Sequence, residues 1–156
     1  MPKVLISDKL SKKAEEIFRK NGIEVTINTA LSPEELSNII TEYDGLAIRS
    51  NTKVTPEIIK HAKNLKVIGR AGIGVDNVDI EAATANGTIV MNTPFGNSIT
   101  TAEHTIALMM ALARNIPIAN TSTHLGKWEK SKHTGTELYS KILGMIGCGN
   151  IGSIVA

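Results

Sequence analysis

The chain has 156 residues, of which 42% are hydrophobic, 21% charged and 3% aromatic, and its formal net charge is +2. That charge is too small to argue for nucleic acid or a membrane surface as partner, and no apolar run approaches the ~18 residues of a membrane span. One cysteine, Cys148, excludes an internal disulfide framework and fits a reducing compartment. The N-terminus begins directly as a strand, so the expected location is the cytoplasm.

Val4–Ile6 reads as a first strand. Ser11 caps a helix to about Lys20, with Ala14, Ile17 and Phe18 on its apolar face, and Asn21-Gly22 stops it. Ile23–Ile27 is a second strand. Ser32-Pro33-Glu34-Glu35 is a helix start, with cap, first-turn proline and a glutamate three residues on. Gly45–Ile48 is a third strand, ending in Arg49-Ser50. Thr55-Pro56-Glu57 opens the next helix in the same way, and Leu65–Ile68 is a fourth strand ending in Gly69-Arg70. Asp79–Asn86 is a short helix stopped by Gly87, and Thr88–Met91 is a fifth strand. This alternation argues an α/β fold with a parallel sheet covered on both faces, of flavodoxin-like topology.

The segment Asn92–Asn97 breaks the pattern. A long apolar helix follows, roughly Thr100–Ala119, and is expected to be buried between layers. Residues 120–140 are polar, with Trp128 and the lysines Lys127, Lys130 and Lys132, and read as an arm or loop. The chain then reaches its most informative stretch, Ile142–Ile146 followed by Gly147-Cys148-Gly149-Asn150-Ile151-Gly152. The apolar run reads as a buried parallel strand and the Gly-x-Gly-x-x-Gly as its turn into a helix, a dinucleotide site. Gly147 allows the tight turn, Gly149 the approach of the backbone to a pyrophosphate, and Gly152 the close packing of helix on strand. The acidic residue that grips the adenine ribose is expected about 20 positions beyond the motif, past Ala156.

Ligands of open α/β sheets bind at the carboxyl ends of the strands. Arg49-Ser50, the run Arg70–Asp76 and the loop Asn92–Ser98 fall there. Paired arginines hold a carboxylate or phosphate through their forked donors, and Gly72 and Gly74 let backbone N–H groups approach an anion. The alternative for the arginines is an ordinary surface pair beside a turn. The histidines His61, His104, His124 and His133 have no metal-ligand spacing. His104 is expected to pack or to make a hydrogen bond along its helix, and Cys148 to sit under the cofactor without a catalytic partner.

The segments Arg49–Thr55, Val67–Asp79, Met91–Ser98, Gly126–Glu129 and Gly135–Leu138 resemble the D-2-hydroxyacid dehydrogenase family, and its phosphoglycerate branch most closely. The resemblance implies a flavodoxin-like substrate domain over residues 1–98. It implies a connecting helix, an arm and the truncated start of a Rossmann NAD-binding domain over 99–156. The implied activity is reversible hydride transfer from C2 of 3-phospho-D-glycerate to NAD, the first step toward serine. Other 2-hydroxy acids and a non-catalytic binding module of the same family are the alternatives. A phosphorylated 2-hydroxy acid is the implied partner, held by Arg49, Ser50, Arg70, Gly72 and Asn97. Lys130 falls where a relative has an arginine reaching toward the other subunit's substrate, which implies a homo-oligomer. The backbone around Ile73 and Gly74 would face substrate and nicotinamide, and Gly147, Gly149, Asn150, Ile151 and Gly152 the pyrophosphate. The family's catalytic arginine, glutamate and histidine are expected beyond Ala156, so no catalytic residue is assigned here and the chain alone is expected to be inactive.

Overall fold

A computed structural model describes residues 1–156 and divides into two compact units, Met1–Gly96 and Asn97–Ala156. The first unit is built on strands β1 (Lys3–Ile6), β2 (Glu24–Ile27), β3 (Gly45–Ile48), β4 (Val67–Arg70) and β5 (Ile89–Asn92). They form one parallel sheet in the order β2-β1-β3-β4-β5. This is the flavodoxin-like order, in which the chain leaves β1 in one direction for β2 and then crosses back to β3.

The helices between the strands start where local chemistry dictates. Ser11 caps α1 (Lys12–Lys20) by accepting the Lys13 N–H. Ser32 and Glu35 form a reciprocal capping box at α2 (Pro33–Ile39). Thr55 accepts the Ile58 N–H ahead of α3 (Pro56–His61), and Asp79 the Ala82 N–H ahead of α4 (Ile80–Ala85). Each cap satisfies a backbone donor that the first helical turn leaves unpaired.

Strand alternation then sorts the side chains. Leu5, Leu46, Ile48 and Ile68 point to one face and pack with Leu36 of α2, Ile58 and Ile59 of α3 and Ala83 of α4. Val4, Ile6, Val25 and Ala47 point to the other and meet Phe18 of α1, with Leu10 and Ile23 beside it. Three helices thus supply one layer and a single helix the other. The β4–β5 side of the second face is left as an open apolar groove floored by Val67, Gly69 and Met91. Coverage of that face is less complete than the sequence pattern suggests. Ile17, expected on the apolar face of α1, is exposed.

Strand β4 begins later than its apolar run. The ladder places β4 at Val67–Arg70, because Ile48 of β3 and Asn92 of β5 both pair with Arg70. Leu65, outside the ladder, is buried in the core instead.

The second unit contains α5 (Ser98–Ala113), α6 (Ile116–His124), a 3₁₀ turn at Lys130–His133 and α7 (Gly152–Val155), which packs against α5. The single long helix expected over 100–119 is instead two. Pro117 has no N–H, so it cannot bond the Ala113 carbonyl four residues back. That carbonyl accepts the Thr136 N–H at 2.7 Å, and Asn115 turns into the left-handed region at φ 56°. Gly135 is required at this contact, because a Cβ there would stand 2.5 Å from the same carbonyl oxygen. Nor is the helix buried as expected. Leu108 and Leu112 are exposed, Leu112 to 81%. The part of the polar stretch up to His124 is helical rather than an arm.

The strand expected at Ile142–Ile146 is absent. Ile142 is 99% exposed and these residues join no ladder. An apolar run becomes a strand only when a neighbour takes its backbone groups, and all five strands of the sheet lie in the first unit.

Candidate functional site

The carboxyl ends of β1, β3, β4 and β5 form one rim of the first unit. Arg49 follows β3 directly, and the register pairs Ile48 with Arg70 and Arg70 with Asn92. Ser7 and Asp8 follow β1, the strand paired with β3. The rim therefore includes the crevice between β1 and β3, where the strand order reverses and open α/β sheets bind their ligands.

Arg49 and Ser50 are exposed, and the Arg49 guanidinium is not engaged by any carboxylate. Arg70 differs. Its side chain is 11% exposed, its Nη1 lies 3.1 Å from Asp76 Oδ1, and its buried Nε has no partner. The pair closes over Gly74, where a Cβ would meet Asp76 Oδ1 at 2.8 Å and Arg70 Nη1 at 2.9 Å. A side chain at Gly74 would therefore have to displace the ends of the Arg70 and Asp76 side chains.

Gly72 does not offer its N–H to an anion, as the sequence suggested. That N–H donates to the Arg70 carbonyl at 2.9 Å, and the Gly72 carbonyl accepts the Thr93 N–H at 3.0 Å and Thr93 Oγ1 at 3.2 Å. The turn itself consumes the donor. Asn92 Nδ2 donates to the Ile73 carbonyl at 2.6 Å, so the end of β5 and the residue after it tie down the carbonyls of both Gly72 and Ile73. The N–H groups of Ile73, Gly74 and Val75 have no protein acceptor.

The structure thus brings together Arg49, Ser50, Arg70, Gly72, Ile73 and Gly74. Sequence reasoning missed Asp8 and Asn77, whose side chains bond the backbone of the Arg49–Thr52 turn. The signal for Asp8 was available, as a polar pair directly after a buried strand.

Asn97, Lys130 and the glycine motif belong to the second unit. Asn97 precedes α5 without a side-chain cap bond, and Lys130 is exposed. Its neighbour Lys132 is the paired lysine, 2.6 Å from Glu129, whose other carboxylate oxygen accepts Ser122 Oγ at 2.8 Å. These bonds hold the Glu129 carboxyl below its ordinary range, Lys132 being the larger cause, and raise Lys132 in turn. Gly147 adopts φ 89°, and the space a Cβ would need at Gly152 is taken by the Gly147 carbonyl. Those two glycines fit a dinucleotide-binding turn, although no strand leads into it. Cys148 is exposed, and so is His104, which neither packs nor makes a hydrogen bond. His61, the histidine of the first unit, ends α3 and lies 3.0 Å from Ser37 Oγ and 2.9 Å from the Glu57 carbonyl. It is at the opposite edge from the rim, because helix ends in a parallel sheet return to the strand starts. No helix is long and apolar enough to cross a membrane.

A family model described as D-isomer specific 2-hydroxyacid dehydrogenase, catalytic domain, matches residues 4–151. The chain belongs to that family. Among curated relatives, it is 53% identical over 154 residues to the D-3-phosphoglycerate dehydrogenase of Archaeoglobus fulgidus, a match covering 99% of this chain and 29% of that protein. Among solved structures, the TT0316 protein of Thermus thermophilus superposes at TM-score 0.88 with 34% identity, over 98% of this chain and 51% of the other. The NAD+-bound 3-phosphoglycerate dehydrogenase of Entamoeba histolytica superposes at TM-score 0.77 with 34% identity, over 99% and 49%. The chain thus spans less than a third of the length of the curated relative it matches.

Proposed function

We propose that this chain supplies the substrate-binding rim, and the first part of the cofactor site, of an NAD-dependent dehydrogenase that oxidises 3-phospho-D-glycerate to 3-phosphohydroxypyruvate. This is the step that opens L-serine synthesis. The observation that carries the reading is the rim, with an exposed, unpaired Arg49 beside Arg70 at the crevice where the strand order reverses.

Arg49 binds an anionic group of the substrate through its forked donors. The Ile73 and Gly74 N–H groups orient the substrate at the neighbouring strand end. By the family resemblance Asn97 and Lys130 are further candidate substrate contacts, Lys130 as a point charge toward a neighbouring copy. Gly147, Gly149, Asn150, Ile151 and Gly152 hold the pyrophosphate of NAD. When bound, NAD takes up the hydride that leaves C2 of the substrate. The chain's own groups bind and orient, and no imidazole stands on the rim to take the hydroxyl proton. The 156-residue chain alone therefore binds the acid without turning it over, and the enzyme works in the cytoplasm as a homo-oligomer.

The test is NADH formation by the complete gene product with 3-phosphoglycerate, D-lactate or D-glycerate as substrate. The reading requires 3-phosphoglycerate to be preferred and Arg49→Ala to raise its KM at least about tenfold, the loss of one charge-assisted bond. Preference for an unphosphorylated acid would move the protein to another branch of the family. No reaction with any of them would leave a binding module.

A further inference from the structure

Asp8, two residues after the end of β1, is 3% exposed, yet it is not paired with a cation. Its Oδ2 instead accepts the N–H of Arg49 at 2.6 Å and that of Thr52 at 3.2 Å. From the other side, Asn77 Nδ2 donates to the carbonyls of the same residues, Arg49 at 2.7 Å and Thr52 at 2.6 Å. The first and last residues of the turn are each gripped at both backbone groups. Ser7 Oγ and Thr52 Oγ1 add a contact at 2.9 Å. Between the grips, Ser50 and Asn51 are exposed and their N–H groups have no protein acceptor.

Burying a carboxylate is costly, and its hydrogen bonds are roughly twice as strong as neutral ones. Here that cost secures neither an ion pair nor a helix end, but one turn whose outward product is the Arg49 side chain. We propose that Asp8 and Asn77 are positioning residues, which lock the Arg49–Thr52 turn in the shape that presents the Arg49 guanidinium and the Ser50 and Asn51 N–H groups to the substrate's anionic group. The inference rests on Arg49 being the substrate cation, and it adds residues that never touch the substrate.

Electrostatics and positioning predict opposite signs. Asp8 is a negative charge behind an anion site, so removing it should tighten anion binding if its field were what mattered. Positioning requires removal to weaken binding. The experiment is a double-mutant cycle in the complete gene product with 3-phosphoglycerate and NAD as substrates. It reads kcat and both KM values for Asp8→Asn, Asp8→Ala, Arg49→Ala and the doubles. Asp8→Ala is expected to raise the KM for the phosphorylated acid at least about tenfold, with kcat and the KM for NAD within about twofold. Asp8→Asn, which keeps an acceptor oxygen, should fall between. On the Arg49→Ala background both effects should vanish, since residues acting through one group are not additive. If Asp8→Ala does not fold, Asp8→Asn and Asn77→Ser carry the same cycle. Tighter binding, an undiminished effect without Arg49, or an equal rise in the KM for NAD would each overturn the proposal. If the wild type does not oxidise 3-phosphoglycerate, the phosphoglycerate reading fails. The cycle is then read by calorimetric binding of inorganic phosphate. Weakening of about tenfold by Asp8→Ala, with Asp8→Asn between it and the wild type, would sustain the positioning role, and an unchanged Kd would end it as well.

Discussion

The two units of this chain carry comparable apolar sequence and use it in opposite ways. In the first, Leu5, Leu46, Ile48 and Ile68 lie on one face of a paired sheet and are fully buried by helices. In the second, Leu108, Leu112, Ile118, Leu125, Ile142 and Ile146 are exposed, and no two strands pair. The difference teaches that an apolar run specifies a core only where a partner element meets it. The sharpest way to break the comparison is to truncate one leucine in each unit. Leu46→Ala should cost ~2–5 kcal/mol, because it leaves a cavity among Leu5, Ile58 and Ile68. Leu112→Ala should stay within about 0.5 kcal/mol. Urea denaturation of the 156-residue chain measures both, and equal losses would refute the contrast.

The exposed leucines also predict behaviour in solution. Contiguous apolar surface on α5 and α6 should drive the isolated chain to self-associate at micromolar concentration. Leu108→Lys with Leu112→Lys should return it toward monomer. Sedimentation velocity decides this, and a wild type that runs as a clean monomer would remove the prediction. A third, smaller effect lies on the rim of the ordered unit. Asp76 holds Arg70, so under the proposed role of this rim an anion would have to compete with it. Asp76→Asn should tighten phosphate binding by a few-fold, about the scale of one exposed ion pair. Calorimetry that finds weaker binding would instead make the pair part of the site's architecture.

The features legible in the sequence were those with local causes. Ser11, Ser32, Thr55 and Asp79 cap the helices they announce, since a cap needs only its own first turn. Arg49 and Arg70 fall on one rim because strand ends in a parallel sheet share an edge. What failed needed distant partners. The register of β4 is set by β3 and β5 rather than by the apolar run that starts at Leu65. The strand at Ile142–Ile146 needed a ladder. The break near Asn115 was announced by Pro117, but the group that takes the freed Ala113 carbonyl is Thr136, 23 residues on. Asp8 offered a local signal, as part of a polar pair after a buried strand, but what it holds was not legible, because its partners are 41 and 44 positions away.

The smallest predicted effect compares one carboxylate in each unit. Glu35 accepts the Ser32 backbone N–H at 2.8 Å, the main reason that its carboxyl lies below the ordinary 4.5, with the Ser32 side chain second. Glu129 is lowered mainly by Lys132 and then by Ser122. Both folded-state values are depressed, so each contributes stability that is complete above 4.5 and is lost as pH falls through the lower folded value. The causes differ in range. An uncharged N–H donor is indifferent to ionic strength, whereas an exposed lysine is screened by it. Carboxyl titrations followed by NMR at low salt and near 1 M salt should therefore find Glu35 depressed in both, and Glu129 rising toward its ordinary value in the second. Equal salt response at the two sites would mean that the capping box is not what holds Glu35 down. In that case Ser32→Ala would cost less than the ~1 kcal/mol expected of a lost cap.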